Sequence, residues 1–196
     1  MPIQNFDSIL AQGLRAGELP GRTEASRNWF RNTAKKFSQI NQTQLLRNAT
    51  ALTTRIEIGK LYMVAYDPKH KDDLPYYDKF PLIFPISKTP DGFLAINLHY
   101  LPYMLRAKLM DMLYNYVSDP KLNETARLKI SYQILKNAST NKYIKPCIKR
   151  YLTSHLRSKF IFIEPVEWDI ALFLPVENFQ KATREQVWSY SRKMIK

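Results

Sequence analysis

Apolar residues recur every three or four positions in several stretches of the chain, a spacing that predicts amphipathic helices. The clearest stripe, within residues 103–119, consists of Leu105, Leu109, Met112, Leu113 and Tyr116. Comparable stretches predict helices at 26–37, 41–49, 123–139, 144–160, 166–175 and 183–195. Three of these stretches begin with polar residues that can cap a helix, namely Ser26, Asn123 and Thr183. Pro146 suits the start of the 144–160 helix.

Elsewhere the pattern changes to short runs of aromatic and branched residues separated by turn residues. The runs at 60–68, 80–89 and 92–101 predict a three-stranded antiparallel meander, and residues 160–165 predict a further strand that pairs with it. We expect Gly92, in the 90–92 hairpin, to adopt a positive φ. Proline has no amide donor, so we expect the strand that carries Pro81 and Pro85 to lie at a sheet edge.

These elements predict an α+β fold, with a small, strongly curved, SH3-like antiparallel sheet flanked by several helices. The sheet is expected from about residues 57–101 and 160–165, within one domain that covers 26–196. Residues 1–25 are weakly patterned and contain Pro20-Gly21, which breaks a helix. We therefore predict an extended N-terminal arm that lies against a partner, with room for a short helix at 6–15.

The connection between the first two strands, residues 68–79, combines prolines, aromatic residues and charges. We expect a solvated tip there, formed by Lys69, Lys71, Asp72 and Asp73. Tyr76, Tyr77 and Phe80 then return the chain to the sheet.

The charge balance changes the picture, because the chain carries a net charge of +13 and has a pI of about 9.8. Residues 121–160 contain ten lysine and arginine residues against one glutamate. Such a concentration of charge predicts a basic surface that attracts a polyanion, such as the phosphates of DNA. The alternative is a surface that only keeps the protein soluble.

The candidate DNA-contacting residues lie in this basic block and in the 26–37 helix. In the block they are Arg127, Lys129, Lys136, Lys142, Lys145, Lys149, Arg150, Arg157 and Lys159, together with Tyr143 and Tyr151. In the earlier helix they are Arg27, Arg31 and Lys35. Cations neutralise phosphates, and tyrosines can stack on exposed bases. The tyrosines can equally be packing residues between helices.

Residues for catalysis or metal binding show no characteristic spacing. His70, His99 and His155 are far apart in the chain. Asp67, Asp72, Asp73 and Asp78 suggest a two-metal nuclease, but a solvated loop is the favoured interpretation. The single cysteine, Cys147, excludes an internal disulfide. Its basic neighbours Lys145 and Lys149 favour a thiolate, but no histidine is paired with it.

The sequence contains no phosphate-binding glycine loop and no nucleophile-elbow motif. We therefore predict a protein without enzymatic activity, cofactor or metal. No apolar run is long enough to span a bilayer, and residues 1–20 do not resemble a secretory signal. We expect synthesis in a reducing host cytoplasm and no membrane partner.

Three segments carry a family resemblance: GKLYMVAYDPKHKDDLPYYDKFPLIFPI, GFLAINLHYLPYMLRAKLMD and IKPCIKRYLTSHLRSKFI. Across about residues 26–195 the chain resembles the DNA end protector family, small late virion proteins of T-even-like contractile-tailed bacteriophages. The resemblance implies that the protein binds double-stranded DNA ends in the virion. It would shield the genome terminus from host exonuclease by occupancy rather than by chemistry.

Two other functions remain open at this point. One is a structural neck, tail or baseplate component, whose arm and aromatic loop would bind other virion proteins. The other is a nuclease or accessory protein that processes or packages DNA. Steep salt dependence of DNA binding would separate the DNA-end protein from the structural component.

Overall fold

The computed structural model describes residues 4–19, 23–37, 40–49, 51–117 and 119–194. The α-helices are α1 (Gln4–Arg15), α2 (Glu24–Lys35), α3 (Gln42–Asn48), α4 (Tyr103–Val117), α5 (Glu124–Thr140), α6 (Trp168–Ala171) and α7 (Arg184–Lys193). The strands are β1 (Leu52–Thr53), β2 (Leu61–Met63), β3 (Tyr77–Asp78), β4 (Leu82–Thr89), β5 (Gly92–Asn97), β6 (Ile148–Leu152), β7 (Phe160–Ile163) and β8 (Phe179–Gln180).

Six strands form one sheet in the order β1-β7-β2-β4-β5-β6, and β3 pairs with β8 in a second, small sheet. Neighbouring strands in both sheets are antiparallel. The α+β class, the β2-β4-β5 meander and the pairing of β7 with the meander are thus confirmed. The sheet does not close into an SH3-like barrel, because β1 and β6 remain at its two ends.

Each face of the sheet packs against its own apolar cluster. Successive side chains of a strand point to opposite faces, so one strand contributes to both clusters. In β2, Leu61 and Met63 point into the main core, which the helices also line. Tyr62, between them, belongs to a second cluster on the opposite face. The other buried members of that cluster are Val64, Tyr66, Ile83, Phe93, Ala95, Tyr151 and Phe160.

The predicted helix over 144–160 is wrong. This segment forms a short 3₁₀ turn at Lys145–Cys147, then β6, then a second 3₁₀ turn at Thr153–His155. β6 pairs with β5 through five residue pairs, from Gly92↔Leu152 to Ile96↔Ile148. The hydrogen bonds offered by the free edge of β5 outweigh the local helical pattern, which is a tertiary effect that spacing alone does not reveal.

The strand with the prolines lies inside the sheet, so the prediction of an edge position is also wrong. β2 pairs with β4 only at Leu82 and Ile83 and stops short of Pro85. Pro85 lies opposite Ala95, beside an irregularity of register between Pro85 and Ser87. A bulge and a short neighbouring strand therefore accommodate a residue that has no amide donor.

Gly92 is required for a close backbone approach rather than for a positive φ. Its φ is not among the positive values, which are found for Gly17 and Gly59 among the glycines of the described ranges. A Cβ at Gly92 would lie 1.9 Å from the carbonyl oxygen of Tyr151 in β6. The predicted 90–92 hairpin itself is confirmed.

The N-terminal residues that the structure describes are not an extended arm. Gln4–Arg15 form α1, and its side chains Phe6 and Ile9 are fully buried in the main core. The short helix for which the sequence leaves room at 6–15 is therefore present, and its buried side chains pack against the same chain. Pro20-Gly21 lies outside the described residues.

Polar caps fix several helix starts. The side chains of Asn123 and Thr183 accept the predicted hydrogen bonds, from Ala126 N and Gln186 N. α2 begins earlier than expected, because Thr23 rather than Ser26 caps it. The predicted 166–175 helix is reduced to α6 and a preceding 3₁₀ turn.

Candidate nucleic-acid interface

The outer face of α5 carries two exposed lysines. Ser131 and Leu135 are buried against the core, whereas Lys129 and Lys136 point into solvent. Seven residues separate these lysines, so they lie on the same face, about 10.5 Å apart along the helix axis. This separation is close to three base-pair steps of about 3.4 Å, which suits contacts with one DNA strand.

The turn that follows α5 adds two more lysines. The Asn141 carbonyl and side chain accept hydrogen bonds from the amides of Tyr143, Ile144 and Lys145, which fixes the turn. Lys142 and Lys145 are exposed, and Tyr143 is 46% exposed. We call Lys129, Lys136, Lys142 and Lys145 the α5 basic strip. The C-terminal end of a helix dipole also favours cations at this turn.

Three further predicted cations lie around the β6–β7 connection rather than on α5. Arg150 donates to both carboxylate oxygens of Asp91, at 2.7 and 2.8 Å. Arg157 lies 3.4 Å from a carboxylate oxygen of Asp67. Lys159 is exposed. The basic block of the sequence is thus divided between α5 and this connection, and two of the three cations already contact carboxylates.

Arg127 lies on a different face of α5 from Lys129. It donates through Nη2 to the carbonyl oxygen of Asp119, at 2.7 Å. Its side chain lines a cavity of about 330 Å³ with Lys60, Glu124 and Trp168. The prediction that Arg127 shares one surface with Lys129 and Lys136 is therefore wrong.

The two arginines of α2 are structural. Arg27 and Arg31 are buried, and their Nε atoms donate to the buried carboxylate of Asp169, at 2.8 and 2.7 Å. Asp111 on α4 contacts both arginines. Burial opposes the charge of Arg31, but its contacts with Asp111 and Asp169 raise its pKa. These arginines join α2 to α4 and α6, and Lys35, in contrast, is exposed.

Two residues of β6 are less accessible than the sequence suggests. Tyr151 is 3% exposed and accepts a hydrogen bond from Asn97, so packing is its role. Lys149 is partly buried, and its Nζ lies 4.2 Å from the ring centroid of Tyr100. Burial lowers the pKa of Lys149. Neither side chain belongs to the α5 basic strip.

Five tyrosines surround a second cavity, of about 230 Å³, and of these the sequence singled out only Tyr151 as a candidate DNA contact. We call it the tyrosine pocket. Its lining includes Tyr66, Tyr76, Tyr77, Tyr100 and Tyr151, together with Lys149. The signal in the sequence is the density of aromatic residues from Tyr66 to Phe80, of which Tyr76, Tyr77 and Phe80 are predicted only to return the chain to the sheet.

Asp78 and Arg150 also line this pocket. Asp78 is a buried structural carboxylate. It accepts hydrogen bonds from the amides of Phe80 and Asn178 and from the Asn97 side chain, and His99 Nδ1 lies 2.7 Å away. Burial favours the neutral acid, but His99 and these hydrogen bonds outweigh burial and lower the pKa of Asp78.

The four aspartates considered for a nuclease do not converge. Asp72 and Asp73 are exposed, as expected for a solvated tip, Asp67 contacts Lys71 and Arg157, and Asp78 is buried. Within the described ranges, no three His, Cys, Asp or Glu side chains are grouped to hold a metal ion.

Cys147 is buried, and burial raises the pKa of its thiol to about 12 despite the charges of Lys149 and Arg106. The thiol is therefore protonated at neutral pH, and its basic neighbours do not activate it. None of the helices in the described part of the chain has the length and apolarity to cross a membrane.

The family model of the phage T4 terminal DNA protecting protein matches residues 3–195, nearly the whole chain. The chain belongs to this family of phage DNA-protecting proteins. No curated protein and no solved structure matches the chain. The resemblance drawn from the sequence is thus confirmed.

Membership of the terminal DNA protecting family makes DNA ends the expected partner. Protection of DNA, as the family is described, is not a catalytic role. In this family member, the α5 basic strip presents exposed lysines along one face of α5 and in the turn that follows the helix.

Proposed function

We propose that this phage protein binds the ends of double-stranded genomic DNA through the α5 basic strip and shields them from exonuclease by occupying the terminus. No bond is made or broken in this mechanism, and no cofactor is required. The observation that supports it most is the full-length match to the terminal DNA protecting family, in a chain that bears exposed lysines along α5.

The strip suits a phosphate backbone in spacing and in charge. Lys129 and Lys136 lie two helical turns apart, and Lys142 and Lys145 extend the positive charge past the end of α5. Exposed lysines lose little solvation when they meet phosphates, and they release the counterions that condense on DNA. Such contacts give affinity without sequence specificity, which suits a protein that must hold whatever sequence ends the genome.

The protein would be made in the host cytoplasm and carried in the virion, where other virion proteins hold it near the genome terminus. A structural role in the neck, tail or baseplate is the second candidate function. It is supported by exposed apolar side chains on α4, where Met104 is 71% exposed and Met112 is 50% exposed. Met112 and Tyr143 also line a cavity formed by residues of α4, α5 and the turn after α5.

Competition between DNA forms tests the proposal. Purified protein is titrated with a linear duplex, with the same duplex closed by hairpin caps at both ends, and with a relaxed circle. We expect the linear duplex to bind most tightly and to become resistant to an exonuclease at stoichiometric protein. Equal affinity for all three forms, without exonuclease protection, would reject end binding. Co-purification in a stoichiometric complex with virion proteins would then favour the structural role.

A further inference from the structure

The tyrosine pocket combines five tyrosine rings with the cations of Lys149 and Arg150. It is formed where the 66–78 segment meets β6 and Tyr100, which lies in the turn after β5. Its volume of about 230 Å³ is below the range of about 300–1,000 Å³ typical of pockets for drug-sized ligands. A single flat ring with a small substituent is therefore the size of ligand that suits it.

Two cations line the pocket, Lys149 and Arg150. Arg150 is paired with Asp91, whereas Lys149 has no anionic partner among the described residues. No carboxylate of the described residues lies within ion-pair distance of Lys149 Nζ, although the side chain is partly buried. Its ammonium group instead lies over the face of Tyr100. Charges removed from water are normally paired with an opposite charge. An unpaired ammonium in a ring-lined pocket indicates a ligand that is both aromatic and anionic.

The walls of the pocket are held in place before any ligand arrives. The Tyr76 ring stacks on Tyr190, with centroids 5.6 Å apart and planes 6° apart, and it also contacts Tyr100. Lys181 Nζ donates to the carbonyl oxygens of Lys71, Asp72 and Leu74, which fixes the loop that precedes Tyr76. Preorganised rings lose little conformational entropy when a ligand stacks on them.

We propose that the tyrosine pocket receives one unpaired terminal nucleotide of the DNA, with its base among the tyrosine rings and its phosphate near Lys149 Nζ. This inference rests on the proposed function and adds to it how an end is distinguished from the interior of a duplex. A base can enter only after it leaves the stack, and unpairing is least costly for a nucleotide that is already free. The pocket thus selects ends, whereas the α5 basic strip holds any duplex.

Fluorescence of 2-aminopurine tests the pocket directly. The probes are short linear duplexes with 2-aminopurine at an unpaired terminal position or at a central paired position. On binding of the wild-type protein, we expect quenching of the terminal probe and no change for the central probe. Base–aromatic stacking predicts that Tyr76→Leu weakens binding of the terminal probe about tenfold and abolishes the quenching. Tyr76→Phe, which keeps the ring, should behave like the wild type.

Charge at the pocket is tested with Lys149→Met against Lys88→Met, an exposed lysine that does not line the pocket. We expect Lys149→Met to lose the preference for linear over hairpin-capped DNA and Lys88→Met to keep it. If wild-type protein binds no DNA end, the proposed function fails. If it prefers ends and both Tyr76→Leu and Lys149→Met retain that preference, the pocket inference alone is wrong.

A further measurement uses only the wild-type protein, so its result does not depend on whether a variant folds. Lysines are acylated with a small reagent, and the modification of each is read by mass spectrometry. Linear DNA should protect Lys149 and the α5 basic strip, whereas hairpin-capped DNA should protect the strip alone. Equal modification of Lys149 with both DNA forms would overturn the inference.

Discussion

At the scale of single residues, the buried polar groups support the fold and do not carry out chemistry. Arg106 is fully buried, and its guanidinium donates to the carbonyl oxygens of His99, Leu101 and Leu172. Burial lowers the pKa of Arg106. Arg27 and Arg31 act similarly through Asp169. A count of charged residues cannot separate Arg27 and Arg31 from surface cations, because their shared partner Asp169 lies 142 and 138 positions away in the chain.

Asp78 gives a prediction for stability as a function of pH. Its pKa is lowered from an ordinary value of 3.8, so its contribution to stability is complete above that pH and is lost as the pH falls through its folded value. Asp78→Asn should lower the free energy of unfolding by about 2–3 kcal/mol near neutral pH, because hydrogen bonds to a buried charge are lost. It should also reduce the loss of stability below pH 3.8.

Urea denaturation at a series of pH values measures this effect. Asp73→Asn is the matched control, since Asp73 is exposed and lies in the same connection. Identical pH profiles for Asp78→Asn and the wild type would show that the Asp78 carboxylate does not contribute to the acid sensitivity.

At the scale of elements, the spacing of apolar residues predicted the helices that depend on local sequence alone. The 103–119 stripe became α4, and the 123–139 stretch became α5 with Asn123 as its cap. β6 was missed because its formation depends on the free edge of β5, a partner more than fifty residues earlier. The strand that carries Pro85 was predicted at a sheet edge, but β2 ends before it reaches Pro85. The sequence around the proline does not reveal how long the neighbouring strand is.

The loop at 69–74 gives a prediction at this scale. Lys181 has a positive φ of 66° and donates to three loop carbonyls, so one side chain holds a segment more than a hundred residues away. Lys181→Met should increase amide hydrogen exchange of residues 69–76 and leave exchange in β4 and β5 unchanged. Lys79→Met, at an exposed lysine near the loop, should leave both regions as in the wild type. Unchanged loop exchange in Lys181→Met would contradict this role.

At the scale of the whole molecule, the net charge of +13 is partly neutralised and partly free. The composition predicted a basic protein and the family resemblance predicted DNA ends, and the family is confirmed. Which cations are accessible could not be predicted, because that depends on the burial of Arg27, Arg31 and Lys149 and on the contacts of Arg150 and Arg157. The α5 basic strip is exposed along α5 and the turn that follows it, while the tyrosine pocket arises from segments that meet only in the fold.

The salt dependence of DNA binding tests the role of this strip most directly. A variant with Lys129→Glu, Lys136→Glu and Lys145→Glu is compared with one of equal net charge, Lys36→Glu, Lys79→Glu and Lys88→Glu, at exposed lysines elsewhere. Anisotropy titrations of a linear duplex at several salt concentrations give the slope of log affinity against log salt for each protein. Each phosphate contact contributes about 0.9 to this slope. We predict that the slope decreases by about 2.7 in the strip variant and stays at the wild-type value in the control. Equal slopes in the two variants would contradict the account.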